Sequence, residues 1–158
     1  MKIRIAAAVI ASLATVALSA TAEAQTSSTH FGPHLAYNFD SSKFGIGAQL
    51  GVPIAHRLEF YPSFDYFFIS GGSLWELNAD LKYRFGGQDV RWLYTGGGLG
   101  FTGVKATGAS SNTSAHANLL IGVESLHGMV HPFGEFRLLL GNGSTAQIAA
   151  GLNFTIGH

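Results

Sequence analysis

Alternation of apolar and polar side chains is the feature that most restricts how this chain can fold. In its last segment, "QIAAGLNFTIGH", every second residue from Ile148 to Ile156 is apolar, and the residues between them are small or polar. A period of two is typical of a β-strand with two different faces. The pattern recurs along the chain and predicts eight strands. They span residues 30–39, 44–54, 58–68, 74–85, 90–101, 115–125, 130–140 and 147–158.

Two stretches interrupt this regularity. Residues 102–114 are rich in Gly, Ser, Thr and Asn and are predicted to form the only long loop. In the strand at 90–101, Val90, Trp92 and Tyr94 place the apolar face, but the glycines at 96–98 have no side chains to continue the pattern. A β-bulge at these glycines would exchange the two faces, so the sequence leaves the phase beyond them open.

The first 24 residues have the features of an export signal. Lys2 and Arg4 precede an apolar run over residues 5–18, and Ala22-Glu23-Ala24 is a small-x-small cleavage site. We predict a cleaved signal peptide at 1–24 and one domain at 25–158. The alternative is an uncleaved membrane anchor, but the run is shorter than the ~20 residues that a spanning helix needs.

Composition excludes several classes of protein. The chain contains no cysteine, so disulfides, thiolate metal sites and a lipid-modified cysteine are excluded. Without Lys2, Arg4 and Glu23, seven basic and eight acidic residues remain, which argues against nucleic acid as a partner. Charged residues make up 11% of the chain, less than half of the roughly 25% typical of soluble domains.

The placement of charge distinguishes a soluble barrel from a membrane barrel. None of the charged residues after the predicted signal falls on an apolar strand face, and the polar faces are dominated by Gly, Ala, Ser, Asn and His. Such faces fit a narrow closed interior in which each charge has a partner. We therefore predict an all-β fold, an eight-stranded antiparallel up-and-down transmembrane β-barrel whose first and last strands pair.

Two sets of residues follow from this arrangement. The candidates for ion pairs in the lumen are Glu76, Asp80, Lys82, Arg84, Arg91, Glu135 and Arg137. The candidates for an aromatic girdle, near the strand ends on the apolar face, are Phe31, Phe39, Tyr66, Phe68, Trp75, Tyr83, Phe85, Trp92 and Phe154.

The sequence resembles the small eight-stranded outer-membrane β-barrels, the OmpA-like and opacity-protein-like family. Its last strand is similar to the family's C-terminal assembly signal, with Gly151, Phe154 and Ile156 in the expected places, Ala149 in a place that is usually polar, and two further residues at the end. The seventh strand, "HPFGEFRLLL", is similar to the family's Pro-aromatic-x-Glu-aromatic-Arg pattern, which implies that Glu135 and Arg137 point inward.

The resemblance implies a location and partners. The expected location is the outer membrane, the expected partners are outer-membrane lipid, lipopolysaccharide and the barrel-assembly machinery, and the expected state is monomeric. It also implies an orientation, with the N-terminus and the turns at 55–57, 86–89 and 125–129 in the periplasm. The loops at 40–43, 69–73, 102–114 and 141–144 are then outside the cell.

The function expected from these features is non-enzymatic, a structural or surface-interaction role for a barrel whose lumen is filled and has no large pore. No cofactor, metal or catalytic residue is expected. One alternative is a lipid A deacylase-like enzyme that uses Ser114 and His116, with Glu124 as a distant orienting group. A second is a soluble periplasmic barrel that binds an apolar ligand. The inward histidines His30, His34, His116 and His131 are alternatively a metal or proton-sensitive site.

Overall fold

The computed structural model describes residues 28–85, 92–106, 108, 110–125 and 127–156. These residues form a closed antiparallel barrel in which each strand pairs with its neighbours in the sequence and β1 pairs with β8. The strands are β1 His30–Asn38, β2 Lys43–Ala55, β3 Leu58–Phe67, β4 Gly72–Arg84, β5 Leu93–Ala106, β6 Asn112–Glu124, β7 Val130–Leu140 and β8 Thr145–Thr155. The predicted signal peptide, Arg91 and the last two residues lie outside the described ranges.

The predicted fold is confirmed, an all-β, eight-stranded, antiparallel up-and-down barrel. Closure rests on the pairing of β1 with β8, in which Phe31 faces Phe154 and Leu35 faces Ala150. A closed sheet has no edge strand, so the backbone amides in the wall are paired within the sheet. We call the end where β1 begins the lower end and the end where β1 turns into β2 the upper end.

The period of two becomes an inside and an outside. In β1, Phe31 and Leu35 are 42% and 65% exposed, whereas His30, Gly32 and His34, which alternate with the outward residues, are buried. Successive side chains of a strand point to opposite faces, so the apolar set covers the outside of the barrel and the small and polar set fills the lumen. The buried interior of this protein is therefore mostly polar.

The structure resolves the phase of β5 and corrects the sequence interpretation. Tyr94 was assigned to the apolar outer face, but its side chain is fully buried in the lumen and its strand partner is the inward-facing Arg84. The pairing of β4 with β5 is continuous, without a bulge. Trp92 is exposed but precedes the first strand residue, Leu93, so the strand pleat does not fix its direction.

The prediction of a long loop at 102–114 is also wrong. β5 continues to Ala106 and β6 begins at Asn112, and Thr102 pairs with Ser114. The residues here are small and polar, which resembles a loop composition, but their backbones extend the β5–β6 hairpin by the same antiparallel pairing as the residues below. The connection at the upper end is therefore short.

Candidate functional site

The outside of the barrel is a continuous apolar surface. Large side chains such as Phe44 and Leu99, each 69% exposed, face outward from every strand. Aromatic pairs occur toward the strand ends, with Tyr37 and Phe44 at 4.8 Å between ring centroids, Tyr66 and Phe68 at 5.7 Å, and Tyr83 and Phe85 at 5.8 Å. This exterior is the reverse of that of a water-soluble protein and matches a lipid environment.

The lower half of the lumen holds two acidic and two basic side chains, Glu59, Lys82, Arg84 and Glu124, which we call the four-charge cluster. Lys82 Nζ lies 3.1 Å from Glu59 Oε2 and 3.4 Å from Glu124 Oε2. Arg84 also contacts both carboxylates, with Nη2 at 2.6 Å from Glu124 Oε2. Each cation thus bridges the same two anions, and the charges balance where solvation by water is largely absent.

Aromatic and amide side chains hold the four-charge cluster in place. Lys82 Nζ lies 4.0 Å from the ring centroid of Tyr61 and 4.7 Å from that of Tyr94, within the range of cation–π attraction. Asn153 Nδ2 donates to Glu124 Oε1 at 2.7 Å, and Gln49 Nε2 donates to Asn153 Oδ1 at 2.8 Å. Side chains from six strands therefore meet across the lumen.

A second ionic group, the Arg137 cluster, lies toward the middle of the barrel and consists of Arg137, Asp80 and Glu135. Arg137 Nη2 lies 3.2 Å from Asp80 Oδ2 and 3.0 Å from Glu135 Oε1. Tyr94 Oη donates to Glu135 Oε2 at 3.0 Å, so the ring that covers Lys82 also binds this cluster. Tyr94 therefore contacts both ionic groups, the four-charge cluster through Lys82 and the Arg137 cluster through Glu135.

The upper half of the lumen is polar but has fewer cations. Asn118 Nδ2 donates to both Asn78 Oδ1 at 3.0 Å and Asp80 Oδ1 at 2.9 Å. His34 Nε2 lies 2.7 Å from Asp65 Oδ1, and Gln147 Nε2 donates to Glu76 Oε2 at 2.6 Å. The carboxylates here are held by amides and by a histidine.

An apolar group closes the upper part of the lumen on one side. Ala36, Phe67 and Leu74 point inward and are buried together, with Ile69 and Ala149 packed against them. Phe67 is fully buried. Buried side chains therefore occur in the lumen from the four-charge cluster to this apolar layer.

The glycines of β5 make room for these side chains. An added Cβ at Gly98 would collide with the carbonyl oxygen of Ala79 and with Asp80 Oδ1, and one at Gly100 would collide with Asn78 Oδ1. The inward row of β5 therefore has no side chains at the level where β4 and β6 contribute theirs. The run of glycines that hid the phase of β5 in the sequence has this packing role.

The lumen candidates from the sequence are distributed over three groups. Lys82 and Arg84 belong to the four-charge cluster, Asp80, Glu135 and Arg137 form the Arg137 cluster, and Glu76 bonds to Gln147. Arg91 lies outside the described ranges. Glu59 and Glu124 are not among the ion-pair candidates from the sequence, yet they are the anions that Lys82 and Arg84 contact. Alternation alone carries no signal for which inward charges meet.

The other candidates lie where the strand phases place them. The girdle side chains within strands face outward, as does Phe154 of the proposed assembly signal, while Trp92 and Ile156 lie next to strand ends and are exposed. Gly151 lies beside His34 and the carbonyl of Pro33. The girdle candidates lie toward the strand ends or in the adjoining turns. They are Phe31, Phe39, Tyr66, Phe68, Trp75, Tyr83, Phe85, Trp92 and Phe154.

The histidines do not converge. His34 binds Asp65, and His30 Nε2 lies 3.8 Å from Glu59 Oε2. His131 contacts the carbonyl of Ser125 and the hydroxyl of Thr155 at the lower end. Within the described part of the chain, no three His, Cys, Asp or Glu side chains are arranged to hold a metal ion.

The Ser114 and His116 pair lacks the contacts of a nucleophile and its base. His116 Nδ1 lies 3.2 Å from Thr102 Oγ1 and its Nε2 lies 3.1 Å from Asn78 Oδ1, so both ring nitrogens have other partners. Ser114 is exposed at the upper end. Glu124 is at the far end of β6 in the four-charge cluster, which excludes it as an orienting group for His116.

Known structures share this fold. The N-terminal β-barrel domain of Pseudomonas aeruginosa OprF has a TM-score of 0.67 and 14% identity, over 82% of this chain and 97% of that one. Neisserial surface protein A has a TM-score of 0.56 and 15% identity, over 81% and 94%. These neighbours are small eight-stranded outer-membrane barrels, and the chain shares their fold.

Comparisons at the level of sequence give no match, either to a protein-family model or to a curated protein. No helix within the described ranges is long and apolar enough to cross a membrane.

Proposed function

We propose that this protein is a non-enzymatic integral protein of the Gram-negative outer membrane, with a structural or surface-interaction role. The observation that carries the proposal is the pairing of an apolar exterior with a lumen that is crossed by the four-charge cluster, Asn153 and Gln49. The exterior suits lipid, and the buried side chains that meet across the lumen favour a closed interior over an open path. A barrel built in this way would hold its upper end at the membrane surface and would not conduct solutes.

The proposed partners follow from the same arrangement. The exposed aromatic side chains at the strand ends, such as Phe68 and Trp75 above and Tyr83 and Phe85 below, are suited to the two interfaces of a bilayer. In the outer leaflet this surface would contact lipopolysaccharide. Phe154 faces outward on β8, Ile156 follows the strand and is exposed, and with Gly151 they make up the proposed signal for the barrel-assembly machinery. The barrel is proposed to be monomeric.

Location and fold are tested together by cell fractionation and heat-modifiable gel mobility. The tagged chain is expected in the outer-membrane fraction, and the unboiled protein is expected to migrate differently from the boiled protein because a closed barrel resists SDS. A soluble periplasmic product without a mobility shift would contradict the proposal. Bilayer recordings of the purified barrel are expected to lack the large, steady conductance of a porin.

The two alternatives have less support. A soluble barrel that binds an apolar ligand needs an apolar lumen, whereas Lys82 and Asp80 are fully buried inside this one. A deacylase needs a base next to its nucleophile, and His116 binds Thr102 and Asn78 instead. Lipid A mass spectra from cells that express the wild type, Ser114→Ala and an empty vector are expected to be identical. Loss of an acyl chain that depends on Ser114 would establish the enzyme.

A further inference from the structure

The upper part of β6 is paired on one side only. β6 pairs with β5 as far as Asn112, which faces Val104, but its pairing with β7 stops at Ala117, which faces Leu140. Residues 112–116 therefore extend beyond β7, which turns at 141–144 to enter β8. We call these five residues the β6 overhang, and they measure about 17 Å along the strand.

The direction of the free backbone groups follows from the pairing below. Glu124 N donates to Trp92 O on the β5 side, and Ser125 N donates to Pro132 O on the β7 side. The amides alternate along an antiparallel strand, and β6 has no bulge against β5, so Thr113 and Ala115 direct their N–H groups toward the absent β7. Gly141 lies beside the carbonyl of Ala115, so the turn reaches only the lower part of the overhang.

Nothing in the overhang protects this edge. Natural sheets block exposed edges with lysine, proline, bulges or a covering segment. Residues 112–116 read Asn-Thr-Ser-Ala-His, with no proline and no charged Lys, Arg, Asp or Glu, and Thr113 and Ala115 are exposed. The other side of the overhang is firm, since β5 pairs with β4 as far as Gly72 and Ala106. A rigid sheet with one open edge is a template for an added strand.

We propose that the β6 overhang is a docking site for an extended peptide segment of a partner protein, which adds to the sheet beside β6 and carries an acidic side chain. The charge is inferred from Lys105, which is exposed on the outward face of β5 and is the only Lys, Arg, Asp or Glu among residues 102–105 and 112–116. A carboxylate on the outward face of the added strand would pair with this lysine.

A second copy of this chain fits the edge less well. Two barrels in one membrane have their β6 strands running in the same direction across it, so antiparallel self-pairing of the overhangs is not available. Self-pairing would also bring two Lys105 side chains toward each other. A strand paired along only five residues buries much less surface than the ~1,200 Å² of a stable interface, so we expect the peptide to bind weakly and reversibly.

The first test uses hydrogen exchange of the barrel alone, in lipid nanodiscs. The amides of Thr113 and Ala115 are expected to exchange quickly, and those of Asn112, Ser114 and His116 slowly, because only the latter donate to β5. Equal protection of all five would show that the edge is already covered, and would overturn the proposal.

The second test adds a short synthetic peptide of alternating threonine and valine with one glutamate. Binding is expected to slow hydrogen exchange at Thr113 and Ala115. Thr113→Pro is expected to raise the Kd of the peptide about tenfold, which corresponds to the loss of about one hydrogen bond. Thr113→Ala, which keeps the amide, is the matched control, and Lys105→Glu should weaken binding of this peptide but not of its lysine analogue. Unchanged binding by Thr113→Pro, or protection elsewhere on the barrel, would refute the site.

If Thr113→Pro fails to fold, the test can be repeated with unaltered protein and a peptide that carries N-methyl groups on its pairing edge. This peptide is expected not to bind, because it cannot form the backbone hydrogen bonds. The inference depends on the proposed orientation in one respect, because the orientation decides from which side of the membrane a partner approaches the overhang. Binding in nanodiscs by a barrel that cells do not place in the outer membrane would retain this inference and reject the proposed location.

Discussion

Asn153 on the last strand donates from Nδ2 to Glu124 Oε1 at 2.7 Å and accepts from Gln49 Nε2 at 2.8 Å. One amide thus joins β8 to β6 and to β2 across the lumen, next to the seam where β8 meets β1. It also binds a carboxylate that two cations share. The closing strand is therefore tied to the interior by its side chain as well as to its neighbours by its backbone.

Replacing Asn153 with Leu should destabilise the barrel. The change leaves Glu124 and Gln49 each without one buried partner, at a cost of about 2–4 kcal/mol for the two groups. Urea unfolding of the refolded barrel in detergent measures the difference. Asn142→Ala, at an exposed turn position, is the control and should change stability by less than about 0.5 kcal/mol. Equal stability of the two variants would contradict the role assigned to Asn153.

Replacing Lys82 with Met should cost about 3–5 kcal/mol, because two buried carboxylates would then share Arg84 alone. The double variant Lys82→Met with Glu59→Gln removes the unbalanced charge and should recover part of this loss. Unfolding midpoints of the wild type, the single variants and the double variant give the comparison. A double variant that is no more stable than Lys82→Met would rule out charge balance as the reason for the cluster.

Gly98→Ala should impair folding, since the new Cβ would meet the backbone oxygen of Ala79, which cannot move without disturbing β4. Overpacking of this kind costs roughly 1–3 kcal/mol or more. Gly134→Ala is the matched control, because its Cβ would meet only Val123 Cγ2 at 3.9 Å. The fraction that shows folded gel mobility after refolding reports the result, and similar yields for both variants would show that β5 is not packed as described.

Tyr94→Phe tests the inward phase of β5. The change removes the hydroxyl that donates to Glu135 Oε2 and should cost about 1–3 kcal/mol. Tyr83→Phe, on the outward face, should have little effect. The two variants differ from the wild type by the same single atom, so an equal effect on thermal unfolding would mean that Tyr94 lies outside.

Much of the fold was predictable because the direction of a side chain on a strand is a local property. Ile148 and Phe154 are six residues apart and share a face by the pleat alone, whatever else the chain does. The same reasoning placed Glu135 and Arg137 inward and the girdle aromatics outward. It failed at Tyr94, because the glycines beyond it hide the face, and at 102–114, where small polar residues form strand.

The sequence by itself therefore determined the class of fold, the two faces of most strands and the polar interior, since each depends only on alternation over neighbouring residues. Only the tertiary structure decided which inward charges meet, because Gln49 and Asn153 are 104 positions apart and come together through barrel closure. It also decided that residues 112–116 extend beyond the end of β7, since a free edge depends on where the neighbouring strand ends and not on the sequence of β6.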